Sequence, residues 1–264
     1  MTLIDSHAHL FWDEFQQDLE AVLERAKMAG VEKIIVPGLD LNTSQKAIGL
    51  AKRYPKMIKA AAGLHPEESL NLSLDRIEEK VSDLRKILQI EKGVVAIGEV
   101  GMDQHTEELK QTLEIQKGIF EAMINLAKEY NLPLIIHSRE SIKEILDLID
   151  KNDWFRGVFH CFSGNEAELR EVIKRSFKVS FCGNITWSKR VAKLVKLVPN
   201  ESLLLETDSP FMAPRDRRGL VIDSLRNEPK SVRILAERYA QLRGVELETI
   251  AMTTTENAKL LFRL

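Results

Sequence analysis

Val94-Val95-Ala96-Ile97-Gly98-Glu99 runs five apolar or small residues into a carboxylate. A run that is apolar at nearly every position reads as a strand covered on both faces, as in a parallel sheet. A carboxylate at the end of such a run is costly to bury without a partner, and a cation is the natural one. Similar runs lie on both sides of it, at residues 3–7, 33–37, 58–64, 134–137, 158–160, 178–182 and 203–206, again rich in Val, Ile, Leu and Ala. Between them lie amphipathic stretches. Residues 15–30 carry Leu19, Val22, Leu23 and Ala26 at helical spacing, with Gly30 placed as a C-cap. Residues 109–130 form another helical pattern, stopped by Asn131 and Pro133. Gly93, Gly157 and Gly183 flank strands and suit short connections.

Eight alternating βα units with no low-complexity linker predict one domain over residues 1–264, folded as a single (β/α)₈ TIM barrel. The chain has 264 residues, close to the ~250 typical of that fold. A doubly wound open sheet is the structural alternative. The tail from Lys230 reads as helices that complete the outer layer. Residues 213–228, rich in Pro, Arg and Asp, break the rhythm and read as a long functional loop after the last strand.

Composition narrows the function. The net charge of -2 argues against nucleic-acid binding by bulk electrostatics, so a phosphate-bearing substrate needs a local site. Two cysteines, Cys161 and Cys182, are not a disulfide framework, and a reducing cytoplasm is the expectation. No secretory signal and no membrane span is read from the sequence. No obligate protein partner is implied, and a monomer is expected.

A barrel's chemistry sits at the C-terminal ends of its strands, and metal-ligating side chains collect there. His7-Ala8-His9 closes the first run; residues two apart on a strand face the same way, so both imidazoles address one point. Asp5 shares their parity and is read either as a partner of a histidine or as a structural residue. Glu99 can bridge two metals ~3.5–4 Å apart. His137 and His160 end the fifth and sixth runs. The eighth leads into Asp208, suited to ligate a metal and take a proton from water. Glu206 is read as either a supporting or a structural residue. Five of the six histidines (His7, His9, His65, His137, His160) fall at strand ends, and only His105 in a loop. Histidine and carboxylate ligands without thiolate suit Zn²⁺, Mn²⁺, Co²⁺, Ni²⁺ or Mg²⁺. Cys161, next to His160, is expected to face away from the site. No G-x-S-x-G elbow, P-loop or G-x-G-x-x-G is present, which removes serine hydrolase, nucleotide-triphosphatase and dinucleotide readings.

The segments 4–10, Gly63-Leu64-His65-Pro66, 96–103, 132–139, His160-Cys161-Phe162-Ser163-Gly164, Glu206-Thr207-Asp208-Ser209-Pro210 and Arg226-Asn227-Glu228-Pro229 resemble, in order, the motif set of TatD-type metal-dependent deoxyribonucleases, which are amidohydrolase-like barrels. The likeness runs from residue 4 to about residue 261. It implies a centre of two divalent ions (Mg, Mn or Zn). His7, His9, Glu99 and Asp208 would hold one ion; Glu99, His137 and His160 would hold the other. It also implies hydrolysis of DNA phosphodiesters, often as a 3′-to-5′ exonuclease, with Asp208 as base and His65 and Arg139 on the phosphate or its leaving oxygen. Two departures bear on the substrate. Gln104-His105-Thr106 leads quickly into a helix, so a wall of the cleft is expected to be missing, and the loop from Pro214 to Arg226 is longer than usual. The competing readings are an amidohydrolase-like enzyme acting on an amide, ester or lactone bond, and a non-catalytic metal-binding protein. Many amidohydrolases bridge their metals with a carboxylated lysine; Glu99 in that place favours phosphodiesters.

Overall fold

The computed structural model describes residues 1–216, 218–222 and 226–264. Among the described residues seven strands run β1 (Leu3–Asp5), β2 (Val31–Pro37), β3 (Ile58–Ala62), β4 (Val94–Asp103), β5 (Leu134–Arg139), β6 (Gly157–Phe159) and β7 (Lys178–Val179). They pair in that order, every pair parallel. Helices such as Leu41–Arg53 and Leu113–Tyr130 lie between successive strands. Each connection returns the chain to the same end of the sheet, so parallel neighbours follow.

The sheet closes through residues 203–209. Leu204 N–H donates to Val179 O at 2.9 Å, Ser6 N–H to Leu205 O at 2.9 Å, and His9 N–H to Ser209 O at 2.7 Å. The expected eighth strand at 203–206 is therefore present as a stave joined by isolated bridges, not as a ladder. Asp5 supplies the physical reason. Its carboxylate accepts the Thr207 hydroxyl at 2.6 Å and the Thr207 N–H at 2.9 Å, an N–H that a regular ladder would send to a main-chain carbonyl. The same competition cuts β7, expected over 178–182, to Lys178–Val179 and ends β6 one residue early, at Phe159. Phe181 N–H goes to Tyr239 Oη at 3.1 Å, and Cys161 N–H to Glu206.

β4 runs four residues past its expected end. Gly101 makes this possible: its φ is +143°, and a Cβ there would stand 2.0 Å from the His137 carbonyl oxygen. Beyond Gly101 the strand pairs on to Asp103↔Arg139.

Two apolar clusters hold the staves. Ile4, Ile35, Ala61, Ala96, Ile135, Val158 and Leu204, one from each of seven staves, pack together with Ala258, Leu261 and Phe262 of the helix Leu247–Phe262. This is the barrel lumen, closed at its base by the last helix. Residues of the alternate parity, such as Ile34, Val36, Ile136 and Phe159, join the larger cluster beneath the outer helices.

Candidate metal centre

Lumen parity carries straight into the site. His137 lies two residues beyond Ile135, His160 two beyond Val158, Glu206 two beyond Leu204, and His65 four beyond Ala61. Alternation on these staves therefore turns each side chain toward the barrel mouth.

There the side chains converge on Glu99, whose carboxylate is 4 % exposed. Its two oxygens serve different neighbours. Oε2 lies 3.2 Å from His7 Nε2 and 3.4 Å from His9 Nε2. Oε1 lies 2.8 Å from His160 Nε2, 2.9 Å from His137 Nδ1 and 3.4 Å from His65 Nε2. Asp208 Oδ1 completes the first group, 3.6 Å from His7 Nε2 and 3.4 Å from His9 Nε2.

Ordinary hydrogen bonding does not explain this geometry. His7 Nε2 and His9 Nε2 face one another at 3.1 Å. His160 Nε2, close as it is to Glu99, has no well-directed hydrogen bond, and His7 Nδ1, His9 Nδ1 and His160 Nδ1 are buried with no hydrogen-bond partner among the described residues. Imidazole and carboxylate ligand atoms crowded within 4.8 Å of one another, nitrogen against nitrogen, are the pattern a cation relieves. The donor set, imidazole and carboxylate, fits a borderline or hard divalent ion.

Electrostatics follows the crowding. Burial raises the Glu99 pKa, but the surrounding histidines outweigh it and hold the carboxyl well below its usual range. Burial, with His160 alongside, drives His7 down to about 4. For His137 burial acts downward, yet Asp103 and Glu99 prevail and lift it to about 10. Asp208 is depressed: burial opposes ionisation, and His9 and His7 overcome it. Burial pushes Glu206 up to about 7. Its Oε1 accepts from Cys161 N–H and Cys182 Sγ–H, while its Oε2 has no hydrogen bond among the described residues and lies 3.9 Å from His160 Nδ1.

The structure brings His9, His65, Glu99, His137, His160 and Asp208 together around one cavity of about 570 Å³, with Arg139 on its exposed rim, and fully buried His7 lies behind them against Glu99 and His9. Three sequence expectations need correction or choice. Asp5 binds Thr207 and the His7 backbone N–H and touches no imidazole, so it is the structural residue. Cys161 lines the cavity instead of facing away, because β6 ends at Phe159 and a φ of +40° at Cys161 breaks the alternation. Arg226 in the 213–228 loop is tied into an ion network with Asp18 and Glu228, while Arg217 and residues 223–225 of that loop lie outside the described residues. Asp103 was not singled out from sequence. Its Oδ2 lies 2.9 Å from His137 Nε2, fixing the ring whose other nitrogen meets Glu99. Its even spacing from Glu99 was the available signal, hidden by ending the strand at Glu99.

A closed parallel barrel with such a cluster at its strand ends defines a metal-dependent hydrolase of the amidohydrolase-like fold. A family model described as TatD related DNase matches residues 4–263, and the chain belongs to that family. It is 41% identical over 266 residues to the uncharacterized metal-dependent hydrolase YabD of Bacillus subtilis, covering 99% of each chain. It is 32% identical over 269 residues to the 3′-5′ ssDNA/RNA exonuclease TatD of Pectobacterium carotovorum, covering 99% of this chain and 100% of that one. Among solved structures, the TatD homologue YJJV of Escherichia coli K12 superposes with a TM-score of 0.90 at 30% identity, over 99% of this chain and 98% of that one. No helix among the described residues is long and apolar enough to cross a membrane.

Proposed function

We propose that this chain is a single-domain nuclease that removes nucleotides from the 3′ end of DNA with two divalent ions (Mg, Mn or Zn). His7, His9, Glu99 and Asp208 hold one ion, and Glu99, His137 and His160 hold the other. The observation that carries this reading is the division of Glu99: one oxygen within 3.4 Å of His7 and His9, the other within 2.9 Å of His137 and His160. The name of the Pectobacterium relative supports the substrate.

When bound, the ions supply positive charge to the phosphoryl oxygen and acidify a water. The chain's own groups do the rest. Asp208 is held ionised by His9 and His7, so its carboxylate takes the proton from the attacking water. Asp103 keeps the His137 ring in one orientation. Arg139, exposed on the rim, meets a non-bridging phosphate oxygen, and His65 faces the leaving oxygen.

The test is release of nucleotides from 3′-labelled and 5′-labelled single-stranded DNA with Mg²⁺, Mn²⁺ or EDTA, beside an Asp208→Asn variant. Metal-dependent release from the 3′ end that disappears in the variant is expected. No release by the metal-loaded protein would overturn the nuclease reading.

A further inference from the structure

Three polar atoms on the cavity wall are buried and have no hydrogen-bond partner among the described residues: Trp12 Nε1, Ser138 Oγ and Asn184 Oδ1. None belongs to the histidine–carboxylate cluster. Leaving polar groups unpaired out of water is costly, so three around one cavity point to a ligand that pairs them.

Phe211 is an observation of another kind. Its ring is 49% exposed, yet its backbone is pinned at both ends. Phe211 N–H donates to Asp208 O at 2.9 Å, and Phe211 O accepts from Asn227 Nδ2 at 2.7 Å. The ring stands edge-on to His9 at 6.2 Å and to Trp12 at 6.4 Å between centroids. A large aromatic held this firmly in the open adds little to the core and offers a free π face beside the metal ligands. Gly183 brings Asn184 to the same place. A Cβ there would stand 1.9 Å from Met212 O, so only glycine lets the Asn184 turn abut the Phe211 loop.

We propose that Phe211, Trp12 and Asn184 form the subsite for the base of the terminal nucleotide, with Ser138 on its sugar-phosphate. The inference rests on the nuclease reading above and says where the released nucleotide sits. The base stacks on Phe211 against the edge of Trp12. Asn184 Oδ1 accepts an N–H from the base edge. Trp12 Nε1–H and Ser138 Oγ–H donate to sugar or phosphate oxygens. Stacking tolerates every base, so the subsite grips a nucleotide without strong sequence preference.

Two single-stranded oligonucleotides test this, alike except that one ends in an abasic 3′ nucleotide. The wild-type protein should cleave the abasic end with kcat/KM about tenfold lower. Phe211→Ala should lose about tenfold on the normal end, chiefly through KM, with no further loss on the abasic one. Truncating an exposed ring leaves the core intact, and Trp12→Phe, which keeps one aromatic ring but removes the N–H together with the five-membered ring, should raise KM on both substrates. A readout without turnover runs beside it. The wild-type protein should bind a deoxynucleoside 5′-monophosphate about tenfold tighter than deoxyribose 5-phosphate, and Phe211→Ala should bind the two alike. Equal cleavage of both ends by the wild-type protein overturns the subsite and leaves the nuclease reading standing. An undiminished preference for the normal end in Phe211→Ala also overturns it, since the base would then sit elsewhere. Cleavage of neither end by metal-loaded protein overturns both.

Discussion

At the barrel mouth His7 Nε2 faces His9 Nε2 at 3.1 Å, and Glu99 serves five histidines with two oxygens. Beside the helix Leu19–Met28 a second charged cluster follows the opposite rule. Arg25 donates to both oxygens of Glu228 at 2.8 Å and to Asp18 at 3.1 Å. Arg226 donates to both oxygens of Asp18 at 2.8 and 2.9 Å and to Glu228 at 2.8 Å, with its guanidinium 4.8 Å from the Phe15 ring. Here two acids meet two bases in fork geometry and every charge has a partner. At the mouth, imidazole nitrogens are left over. The contrast separates a cluster that fastens the fold from one whose donors suit an ion.

Glu99→Gln should break the first cluster most severely. Removing the shared charge is expected to cost at least about 1000-fold in hydrolysis and to lower bound metal below two ions per chain, while circular dichroism stays unchanged. Full activity in this variant would deny Glu99 its bridging place.

Metal itself should sharpen the comparison. At a free ion concentration near 100 times Kd, binding stabilises the fold by about 2.7 kcal/mol. For a chain of this size that raises Tm by roughly 5–10 °C, reversed by EDTA. The same titration on Glu99→Gln should give a smaller shift, and an unchanged shift would place the ion outside the cluster.

Asp103→Asn probes the support of one ligand. Loss of the carboxylate behind His137 should lower metal affinity or kcat by about 10- to 100-fold, as is usual for groups that orient a ligand. Metal titration and rates on the same preparation read both effects.

The second cluster should answer in stability alone. Glu228 is 5% exposed and pairs with both arginines. Glu228→Gln is expected to cost about 2 kcal/mol in chemical unfolding, with metal stoichiometry unaltered. Loss of metal binding in this variant would mean that the two clusters are one unit.

The smallest effect is a pH dependence at Asp18. The Arg226 hydrogen bonds pull its pKa down to about 2. In the unfolded chain it protonates near ~3.9, so between those values the unfolded state holds more protons. Its stabilisation is complete above ~3.9 and is lost as pH falls toward 2. Since Asp18 is 38% exposed, solvent keeps the contribution to roughly 0.2–1 kcal/mol. Asp18→Asn should therefore melt slightly below wild type at pH 7, with the gap closing from about pH 5 downward. A gap that persists at pH 2 would assign the loss to packing.

Short-range pattern carried much of the design. Apolar runs alternating with helical periodicity announce the barrel, because the sheet's covered faces and the helices' single stripes each leave a local mark. Histidines at strand ends announce the ligands, since His137 and His160 inherit the parity of Ile135 and Val158. The closing stave was legible as an apolar run, yet its lack of a ladder was not: Asp5 and Thr207 lie 202 residues apart, and nothing local says that a carboxylate will take that N–H. Cys161 on the cavity wall, Asp103 behind His137, the Arg226 clamp on Asp18 and the unpaired atoms of Trp12 and Asn184 share this character. By itself the sequence determined the elements, their order and the chemical kind of the site, because those depend on residue type and spacing along the chain. Which atoms meet across the closed barrel, and which stay unpaired at its mouth, was decided only by the tertiary structure, because closure brings together groups whose separation in sequence carries no record of their distance in space.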